Sequence, residues 1–401
     1  MKKYLSITAA ILTINAVNIC AQKIEVENKS QYNIKDYIVE VPVESLKIPF
    51  GSYVAVGDDG VSVPVEITAD LLNNTVALFP AETINAKKNK SFTLKRGFAE
   101  TYPKRTYAEL AHKIGGQFIG KEYIGGYSWT NVNTLTLPGS FQDHAYYLKY
   151  EGPGWESDRI GYRFYLDNRN AVDVFGKTVS DIVLPHVGVE DYDGYHTLAY
   201  WGMDHTTVGK GLGLGSIAVW DGKNAVRVDN RDSTTCTIVT NGLLRSQIKT
   251  TYHGWNANGT KCDLVSLITI DAGSRATRME LLTDKPIGDL VTGMNLIRGT
   301  EVIVKNDKSQ KWAYLATFGK QSQNKDIQGL AVFVKTSQLK EITTDEINHV
   351  TILTPENNYV EYYFLSTWEL DKEPVKTKDE FLNIVDDYLA KLNNPVKITV
   401  R

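Results

Sequence analysis

Short segments of alternating apolar and polar residues dominate this chain, and they restrict its fold more than any other feature. Such segments follow one another from Tyr123 to Thr367, separated by turn residues and without helical periodicity between them. In one of them, Ile160 to Leu166, apolar side chains occupy every second position. A succession of strands without intervening helices predicts an all-β fold in which two large antiparallel sheets pack face to face.

Residue patterns divide the mature chain into two predicted domains. Residues 22–98 contain several short strand patterns and the hairpin signal Asp58-Asp59-Gly60, which predict a small N-terminal β-sandwich module. This module contains no histidine and no cluster of catalytic residue types, so we expect it to have a packing or accessory role. Residues 99–401 are predicted to form the larger β-sandwich domain.

Two capping-box patterns predict helices in the larger domain. Thr106-Tyr-Ala-Glu109 predicts the start of a short helix, and Gly115-Gly116 predicts its end. Thr377-Lys-Asp-Glu380 is a second capping box, and apolar residues recur at helical spacing from Phe381 to Leu392. This C-terminal helix is therefore expected to be amphipathic and to lie on the body of the domain.

The N-terminus has the pattern of a secretory signal peptide. Two lysines precede an apolar run from Leu5 to Val17, and Ala21 is a small residue suited to cleavage. Residues 1–21 are thus a predicted signal peptide, and the mature protein is expected to be secreted or periplasmic. The run is short for a membrane span, and no later segment is apolar enough. A lipid anchor at Cys20 is disfavoured because the residue before it is not small.

Composition and charge narrow the classes of partner. The formal net charge is -3 and there is no block of Lys or Arg, so the electrostatic footprint of a nucleic-acid-binding protein is missing. The hydrophobic content of 42% is sufficient for a large core. After signal cleavage Cys236 and Cys262 remain, and both a disulfide and two buried thiols stay open as alternatives. No pattern indicates an oligomeric state.

A rigid turn precedes a polar strand face in the middle of the chain. Gly152-Pro153-Gly154 predicts a constrained turn that presents Trp155 to Asp158 on a loop. Because Trp155 is expected on this loop rather than in a strand, it is the best candidate for stacking on a sugar ring. Arg163 and Tyr165 follow on the polar face of the next strand, where they are a suitable wall for a sugar or carboxylate site.

Five of the seven histidines fall between residues 144 and 253. They are His144, His186, His196, His205 and His253. Histidine beside tyrosine and carboxylates can transfer protons near neutral pH, and Tyr195-His196 is the favoured pair. Neighbouring residues on a strand point to opposite faces, so both can act on one substrate only in a loop or bulge. Asp191, Asp193 and Gly194 indicate such a loop.

The sequence lacks the motifs of several other chemistries. The glycines at every second position from Gly209 to Gly215 match neither a dinucleotide fingerprint nor a phosphate loop, and they predict a tight chain crossing. There is no Gly-x-Ser-x-Gly elbow and no His-Glu-x-x-His helix. We therefore predict neither a metal nor a cofactor. The weaker alternative is a metal held by three residues of the set His144, His186, His196, His205 and Asp204.

Two segments resemble a known family. The runs DHAYYLKYEGPGWESDRIGYRFYLDNRN, from Asp143 to Asn170, and YHTLAYWGMDHTTVGKGLGLGSI, from Tyr195 to Ile217, resemble a domain-of-unknown-function family of secreted bacterial proteins found with polysaccharide-utilisation genes. The passage Leu264 to Thr283 is similar to sugar-active proteins with the galactose-mutarotase-like β-supersandwich. Some relatives are oligosaccharide dehydratases in ulvan breakdown, so the resemblance implies a β-supersandwich and a carbohydrate substrate.

The leading hypothesis is a carbon-oxygen lyase, either an oligosaccharide dehydratase or an enzyme similar to polysaccharide lyases. His196 or His144 is expected to be the base, and Tyr195 the acid. Arg163 or Arg298 is expected to neutralise an acid group of the substrate, because an arginine stabilises the enolate-like charge without giving up its own proton.

The predicted substrate is an anionic oligosaccharide that carries a uronate or a sulfate. Arg159 and Lys149 add to the positive charge of the two catalytic arginines. The alternatives are a non-catalytic glycan-binding protein, and a hydrolase or epimerase that uses Glu156 and Asp158 as paired carboxylates. The residues expected to contact the sugar are Trp155, Glu156, Asp158, Arg159, Tyr165, Trp201, Asp204, His205 and His253.

Overall fold

The computed structural model describes residues 22–99, 101–190 and 193–401. The predicted signal peptide, residues 1–21, lies outside the described residues. Within the described ranges, no helix is long and apolar enough to cross a membrane.

Two small antiparallel sheets form the first part of the fold. Its elements are β1 (Lys23–Glu27), β2 (Ile34–Pro42), the single turn α1 (Val43–Leu46), β3 (Tyr53–Gly57), β4 (Ser62–Pro64), β5 (Glu66–Ala69), β6 (Thr75–Ile84) and β7 (Asn89–Arg96). One sheet contains β1, β7, β3 and β4 in that order, and the other is β2, β6 and β5. Apolar residues such as Ile24, Val39 and Phe79 fill the shared core, so each sheet covers the apolar face of the other.

The middle of the chain consists of short strands joined by irregular segments. These strands are β8 (Thr106–Glu109), β9 (Ala111–Ile119), β10 (Glu122–Asn131), β11 (Thr134–Pro138), β12 (Gly154–Ser157), β13 (Gly161–Phe164), β14 (Val172–Lys177), β15 (Gly202–Asp204), β16 (Ala218–Trp220) and β17 (Ala225–Arg227). A five-stranded sheet has the order β15-β14-β13-β12-β8, while β9 and β10 form a separate two-stranded hairpin. This region carries most of the predicted site residues.

Longer and more regular strands follow, and a helix covers them. They are β18 (Ser233–Asn241), β19 (Arg245–Ala257), β20 (Thr260–Asp271), β21 (Thr277–Thr283), β22 (Leu290–Asn295), β23 (Glu301–Lys305), β24 (Trp312–Lys320), β25 (Ile327–Lys335), β26 (Leu339–Thr344), β27 (Asn348–Leu353), β28 (Tyr359–Trp368), the helix α2 (Lys378–Asn393) and β29 (Lys397–Val400). A nine-stranded sheet has the order β11-β18-β19-β20-β21-β28-β25-β24-β23, and a second five-stranded sheet is β17-β16-β22-β27-β26.

The large core lies between the nine-stranded sheet and the five-stranded sheets β15-β14-β13-β12-β8 and β17-β16-β22-β27-β26. Its buried residues come from all three sheets, for example Tyr162, Ile268 and Met294. On the other face of the nine-stranded sheet, α2 buries Phe381 and Val385 against aromatic strand residues. The all-β antiparallel supersandwich, the small N-terminal sandwich and the C-terminal helix are thus confirmed as the fold class.

The two ends of the described chain meet in one sheet. Strand β29 pairs with β1 in antiparallel register, with Val400 opposite Ile24. The first sheet therefore has five strands, one of which comes from the C-terminal end. The division into domains at residues 22–98 and 99–401 stays a proposal. Strand β29 physically links the two proposed domains, because it belongs to the second in sequence and pairs with a strand of the first.

Two local predictions fail for the same physical reason. Thr106–Glu109 forms strand β8 rather than a helix start, because its residues pair with Gly154–Ser157 along the whole strand. Gly115 and Gly116 lie inside the hairpin β9–β10 and do not end a helix. Trp155 lies in β12 rather than on a loop. In each case pairing with a neighbouring strand overrides the local signal.

The helical and cysteine predictions have clearer outcomes. The second capping box is present: the Thr377 hydroxyl accepts from the Glu380 backbone N–H, and the Glu380 side chain accepts from the Thr377 backbone N–H. Cys236 and Cys262 are both free, buried thiols, so the disulfide alternative is wrong. Cys236 lies on β18, opposite Thr250 of β19, and Cys262 lies on β20, opposite Trp255 of β19. Strand β19 therefore separates the two thiols, which are also displaced from each other along its length.

Candidate functional site

A buried arginine, Arg163, organises the region where the predicted site residues meet. It lies in β13 and has no exposed surface. Its Nη1 donates to the Tyr150 carbonyl oxygen at 3.2 Å, to Glu151 Oε2 at 3.0 Å and to the Tyr195 hydroxyl at 2.9 Å. This side of the guanidinium therefore joins two irregular segments of the chain, around residues 150 and 195.

The second side of the Arg163 guanidinium holds two more carboxylates. Nη2 lies 3.0 Å from Asp173 Oδ2 and 2.5 Å from Asp204 Oδ2. The Tyr165 hydroxyl accepts from Nη2 at 3.2 Å and donates to Asp173 at 2.7 Å. We call this group the Arg163 cluster; it comprises Glu151, Arg163, Tyr165, Asp173, Tyr195 and Asp204.

Asp204 is the carboxyl group of the cluster whose surroundings favour its protonated form. Burial, and then the nearby charge of Asp173, raise the pKa of Asp204 well above its usual range. Three carboxylates around one guanidinium carry more negative charge than the arginine can balance, so protonating Asp204 reduces the repulsion. Burial and Asp173 therefore favour the protonated form of Asp204, whose Oδ2 lies 3.4 Å from His196 Nδ1.

The favoured pair Tyr195-His196 lies in a single 3₁₀ turn, Gly194–His196, between irregular segments. The condition set by the sequence, a loop rather than a strand, is therefore met. The Tyr195 side chain is buried, whereas about a third of the His196 side chain, 32%, is exposed. His196 Nδ1 lies 3.4 Å from Asp204 Oδ2. The ring centres of Tyr195 and His196 are 4.6 Å apart. His196 is thus the accessible member of a chain that continues through Asp204 to Arg163.

The electrostatics of the pair assign its protonation. Burial, and then the Arg163 cation, lower the pKa of His196, so its imidazole is neutral near pH 7. Burial raises the pKa of Tyr195 well above its usual value, although Arg163 acts in the opposite direction. The pair consequently combines a neutral imidazole, which can accept a proton, with a protonated phenol, which can donate one.

His144 approaches the same cluster from another direction. Its Nδ1 lies 2.7 Å from Asp143 Oδ1, and 52% of its side chain is exposed. Arg169 connects this pair to the cluster, because its Nη2 contacts Asp143 Oδ1 at 2.9 Å and Glu151 Oε1 at 2.7 Å. The Glu151 carboxylate therefore links Arg169 to Arg163.

The residues considered from the sequence as metal ligands do not form a ligand group among the described residues. Among the described residues, one group can bring three ligand atoms within 4.8 Å of one another: Asp143, His144 and Glu151. Of the residues considered from the sequence, this group contains only His144. The Arg169 guanidinium lies against both carboxylates and supplies the balancing positive charge itself.

Two buried ion pairs hold the loop that carries the site. Glu156 accepts from the backbone N–H groups of Val183 and Leu184, and its other oxygen lies 2.6 Å from Lys177 Nζ. From the opposite side, Lys149 Nζ donates to the carbonyl oxygen of Leu184 and to Glu109. Glu156 and Lys149 are therefore anchors for the loop and not sugar contacts.

Several other predicted site residues are structural. Trp155 is completely buried, stacks on Tyr162 and donates its indole N–H to Thr277 at 2.9 Å. It cannot stack on a sugar, because its environment is the main core. His205 is also completely buried, where it stacks on Trp368 and burial lowers its pKa to about 3. Its ring therefore stays neutral and inaccessible.

The remaining charged residues that were predicted to belong to the site form ion pairs within the protein or lie away from the Arg163 cluster. Asp158 forms an ion pair with Arg105, and Arg159 forms one with Asp36. Asp36 lies in β2, so the second ion pair reaches the first sheets. His253 pairs with Asp263 on the β19–β20 ladder. Arg298 is exposed in the turn after β22. None of these residues has a described contact with the Arg163 cluster.

Trp201 stays next to the site but contributes packing. It is 5% exposed and packs edge-on against Phe175, which also contacts the Tyr195 ring. Tyr195 and Trp201 together line a cavity of about 360 Å³ with His186 and Glu190. Tyr195, the predicted acid, is therefore buried but borders this cavity.

The fold and this cluster define the class of protein: an all-β supersandwich with a buried charged centre beneath a histidine-tyrosine pair. The chain belongs to the family described as "Domain of unknown function (DUF4861)", whose profile matches residues 26–398. This match confirms the predicted membership of a domain-of-unknown-function family.

Individual relatives are more distant. A stretch of 272 residues is 23% identical to "Uncharacterized protein P7" of Formosa agariphila, and it covers 62% of this chain and 66% of that protein. Two solved structures from Enterococcus faecalis are also similar at 10% identity, a protein in the Glycosyl Hydrolase Family 38 with a TM-score of 0.48 and an alpha-mannosidase with a TM-score of 0.46. Both comparisons cover 95% of this chain, which spans about half the length of those proteins, 47% and 46%.

Proposed function

We propose that this protein is a carbohydrate-active enzyme that eliminates a substituent from an anionic oligosaccharide, with His196 as the base and Tyr195 as the acid. One observation carries the proposal: a partly exposed, neutral histidine lies 3.4 Å from a buried carboxyl group, next to a tyrosine hydroxyl that accepts from a buried arginine. The resemblance of the Asp143–Asn170 and Tyr195–Ile217 segments to carbohydrate-related relatives supports the substrate class.

The base half of the reaction falls to His196. Its neutral imidazole takes a proton from a sugar carbon, and the buried Asp204 carboxyl group lies 3.4 Å from its Nδ1. His196 is preferred to His144 because its lowered pKa keeps it neutral and its ring lies 4.6 Å from the ring of Tyr195, the proposed acid. The carbon-hydrogen electron pair then forms the new carbon-carbon double bond.

The acid half falls to Tyr195. As the carbon-oxygen bond breaks, the departing oxygen takes the phenolic proton, and the charge left on the tyrosine oxygen is stabilised by Arg163 Nη1 at 2.9 Å. Arg163 thereby acts through Tyr195 and not on the substrate, because no part of it is exposed. The product is an unsaturated sugar, released with water in a dehydratase or with a shortened glycan in a lyase.

The anionic nature of the substrate follows from this chemistry rather than from the cations chosen by sequence. Arg159, Arg163 and Lys149 are all engaged in ion pairs within the protein. A proton bound to a sugar carbon is acidic enough for histidine only next to an electron-withdrawing group, and the carboxylate of a uronate is such a group. A uronate is therefore the proposed substrate unit.

The test is conversion of a panel of uronate-containing oligosaccharides, followed by mass spectrometry and ultraviolet absorbance. We expect His196→Ala to lower turnover by about 10²–10⁴-fold, because the general base is lost. His253→Ala is the matched control, since this histidine is also partly exposed and paired with an aspartate but lies outside the cluster. Equal turnover in the two variants would exclude His196 as the base. Binding without conversion by the wild type would favour a glycan-binding protein.

A further inference from the structure

The hairpin β9–β10 contains a local irregularity that presents one aromatic ring. Its register shifts between Gly125 and Ser128, so that Gly126 and Tyr127 both lie opposite Gly115. This is the pattern of a β-bulge, which turns a side chain away from its regular direction. The hairpin pairs with none of the three large sheets, and one part of it packs on Tyr147 through Phe118 and Tyr123.

Tyr127 lies over a position that only glycine can occupy. Gly115 has a φ of +86°, and a Cβ there would come within 2.0 Å of Tyr127 Cε1. The ring fills the space that a side chain at position 115 would take, yet 82% of Tyr127 remains exposed. An aromatic ring supported by backbone on one side and open to solvent on the other is a suitable platform for stacking.

A cleft of about 540 Å³ begins at this ring and runs towards the loop of the Arg163 cluster. Tyr127, Trp129 and Asn131 line it from β10, and Lys113 lines it from β9, directly opposite Trp129. Residues two apart on a strand share a face, which explains how one hairpin face supplies these side chains. The Lys113 ammonium lies 5.2 Å from the centre of the Trp129 ring.

The cleft borders the cavity next to Tyr195. Pro185, Val189 and Glu190 line both spaces, of about 540 Å³ and 360 Å³. The Trp129 indole N–H donates to the Val189 carbonyl oxygen at 3.2 Å, which fastens the hairpin to the loop that carries the pair Tyr195-His196. A chain of sugars that reaches the pair can therefore extend along the hairpin.

We propose that this hairpin face is a sugar-binding subsite in addition to the one at Tyr195 and His196. It holds a sugar unit of the oligosaccharide that does not itself take part in the reaction. The apolar face of a pyranose stacks on Tyr127, and the Lys113 ammonium pairs with its carboxylate or sulfate. The identity of the ligand as an anionic glycan rests on the proposed function; the subsite itself rests on the cleft, the bulge and the exposed ring.

The test measures binding separately from conversion. Titration calorimetry of the His196→Ala protein with a uronate-containing tetrasaccharide gives affinity without turnover. Adding Tyr127→Ala is expected to weaken binding about 3- to 10-fold, while Tyr127→Phe keeps the ring and the affinity. Phe98→Ala is the matched control, because Phe98 is also 82% exposed but belongs to the first part of the fold. A disaccharide, too short to reach the hairpin, should bind equally to all variants.

The outcomes distinguish the subsite from the catalytic proposal. Conversion by the wild type with tetrasaccharide affinity unchanged by Tyr127→Ala overturns the subsite alone. Affinity that depends on Tyr127 without any conversion supports the subsite and overturns the elimination. Aromatic rings across from glycine also stabilise sheets, so a lower unfolding temperature with unchanged affinity assigns Tyr127 a structural role and overturns the subsite. A wild type that neither binds nor converts any glycan of the panel overturns both.

Discussion

Two arginines in this protein, one fully buried and one partly exposed, collect carboxylates and tyrosines in the same way but in different surroundings. Arg163 has Glu151, Asp173 and Asp204 around it. Arg278 contacts Glu361 at 2.7 Å and Glu280 at 3.3 Å. We call the second group the Arg278 cluster; it comprises Arg278, Glu280, Lys335, Tyr359, Glu361 and Tyr363.

The backbones that supply the two clusters differ. Arg278 and Glu280 are two apart on β21 and pair in regular register with Tyr363 and Glu361 on β28. The Arg163 cluster draws on several short strands and on segments with left-handed backbone, such as Tyr150 (φ 34°) and Glu151 (φ 71°). Non-glycine residues in that conformation cost about 1–3 kcal/mol each, and they concentrate where structure serves function.

The comparison shows what irregular backbone adds. A regular sheet face can close a set of charges into balanced ion pairs, as in the Arg278 cluster, where Lys335 supplies a second cation. The Arg163 cluster instead places a partly exposed histidine and a buried tyrosine at its edge, and the tyrosine lines a cavity. The same charged chemistry is thus structural in one place and suited to proton transfer in the other.

The largest difference is expected on removing each arginine. Arg163→Met removes a guanidinium that binds three carboxyl groups in a fully buried site, where, among the described residues, only Glu151 keeps a second cation, Arg169, so we expect the free energy of unfolding at pH 7 to fall by about 3–5 kcal/mol. Arg278→Met should cost less, because its side chain is 20% exposed and Lys335 remains next to Glu361. Urea unfolding of both variants checks this, and equal losses would contradict the distinction.

Sequence reasoning found individual members of the functional cluster but not the cluster. Arg163 and Tyr165 are predicted from one polar strand face, whereas Tyr195 and Asp204 come from other parts of the sequence. Glu151 and Asp173 are not predicted, because neither a lone carboxylate before a glycine turn nor a single aspartate within the strand β14 has a spacing that marks it. The five segments that meet at Arg163 are brought together by strand order, which no local pattern encodes.

Failures at single residues have a common cause as well. Trp155 and His205 were expected to face a sugar, but both are in the core, where large aromatic side chains contribute most to stability. The hairpin residues Tyr127 and Trp129 were overlooked. The signal was present in the sequence as two glycines followed by alternating aromatics, Gly-Gly-Tyr-Ser-Trp, which is a bulge followed by one strand face.

The second prediction uses the opposite pKa shifts in the two clusters. Burial and Asp173 raise the pKa of Asp204, so its native state prefers the proton. Its contribution to stability is complete below the unfolded value of about 3.9 and is lost as pH rises through the folded pKa. Asp204→Asn mimics the protonated acid, so its stability relative to the wild type should improve as pH rises above about 4.

Glu361 should show the reverse behaviour. Burial favours the protonated form, but Arg278 and Lys335 outweigh it and lower the pKa. Its contribution is present above the unfolded value of about 4.3 and is lost as pH falls through the folded pKa. Glu361→Gln should therefore cost stability at pH 7 and less below pH 4. Chemical unfolding between pH 3 and 8 measures both, and parallel curves for the two variants would contradict the assigned shifts.

The smallest change in stability, and the sharpest separation of roles, is expected from removing one hydroxyl in each cluster. Tyr195 accepts from Arg163 at 2.9 Å, and Tyr363 donates to Glu361 at 3.2 Å. Each is a single hydrogen bond to a charged group, so Tyr195→Phe and Tyr363→Phe should each lower the free energy of unfolding by about 1–2 kcal/mol. Only Tyr195→Phe should also lower turnover, by about 10²-fold or more, because only that hydroxyl lies beside a neutral, accessible histidine. Full turnover in both variants would show that the Arg163 cluster, despite its irregular backbone, is as structural as the Arg278 cluster.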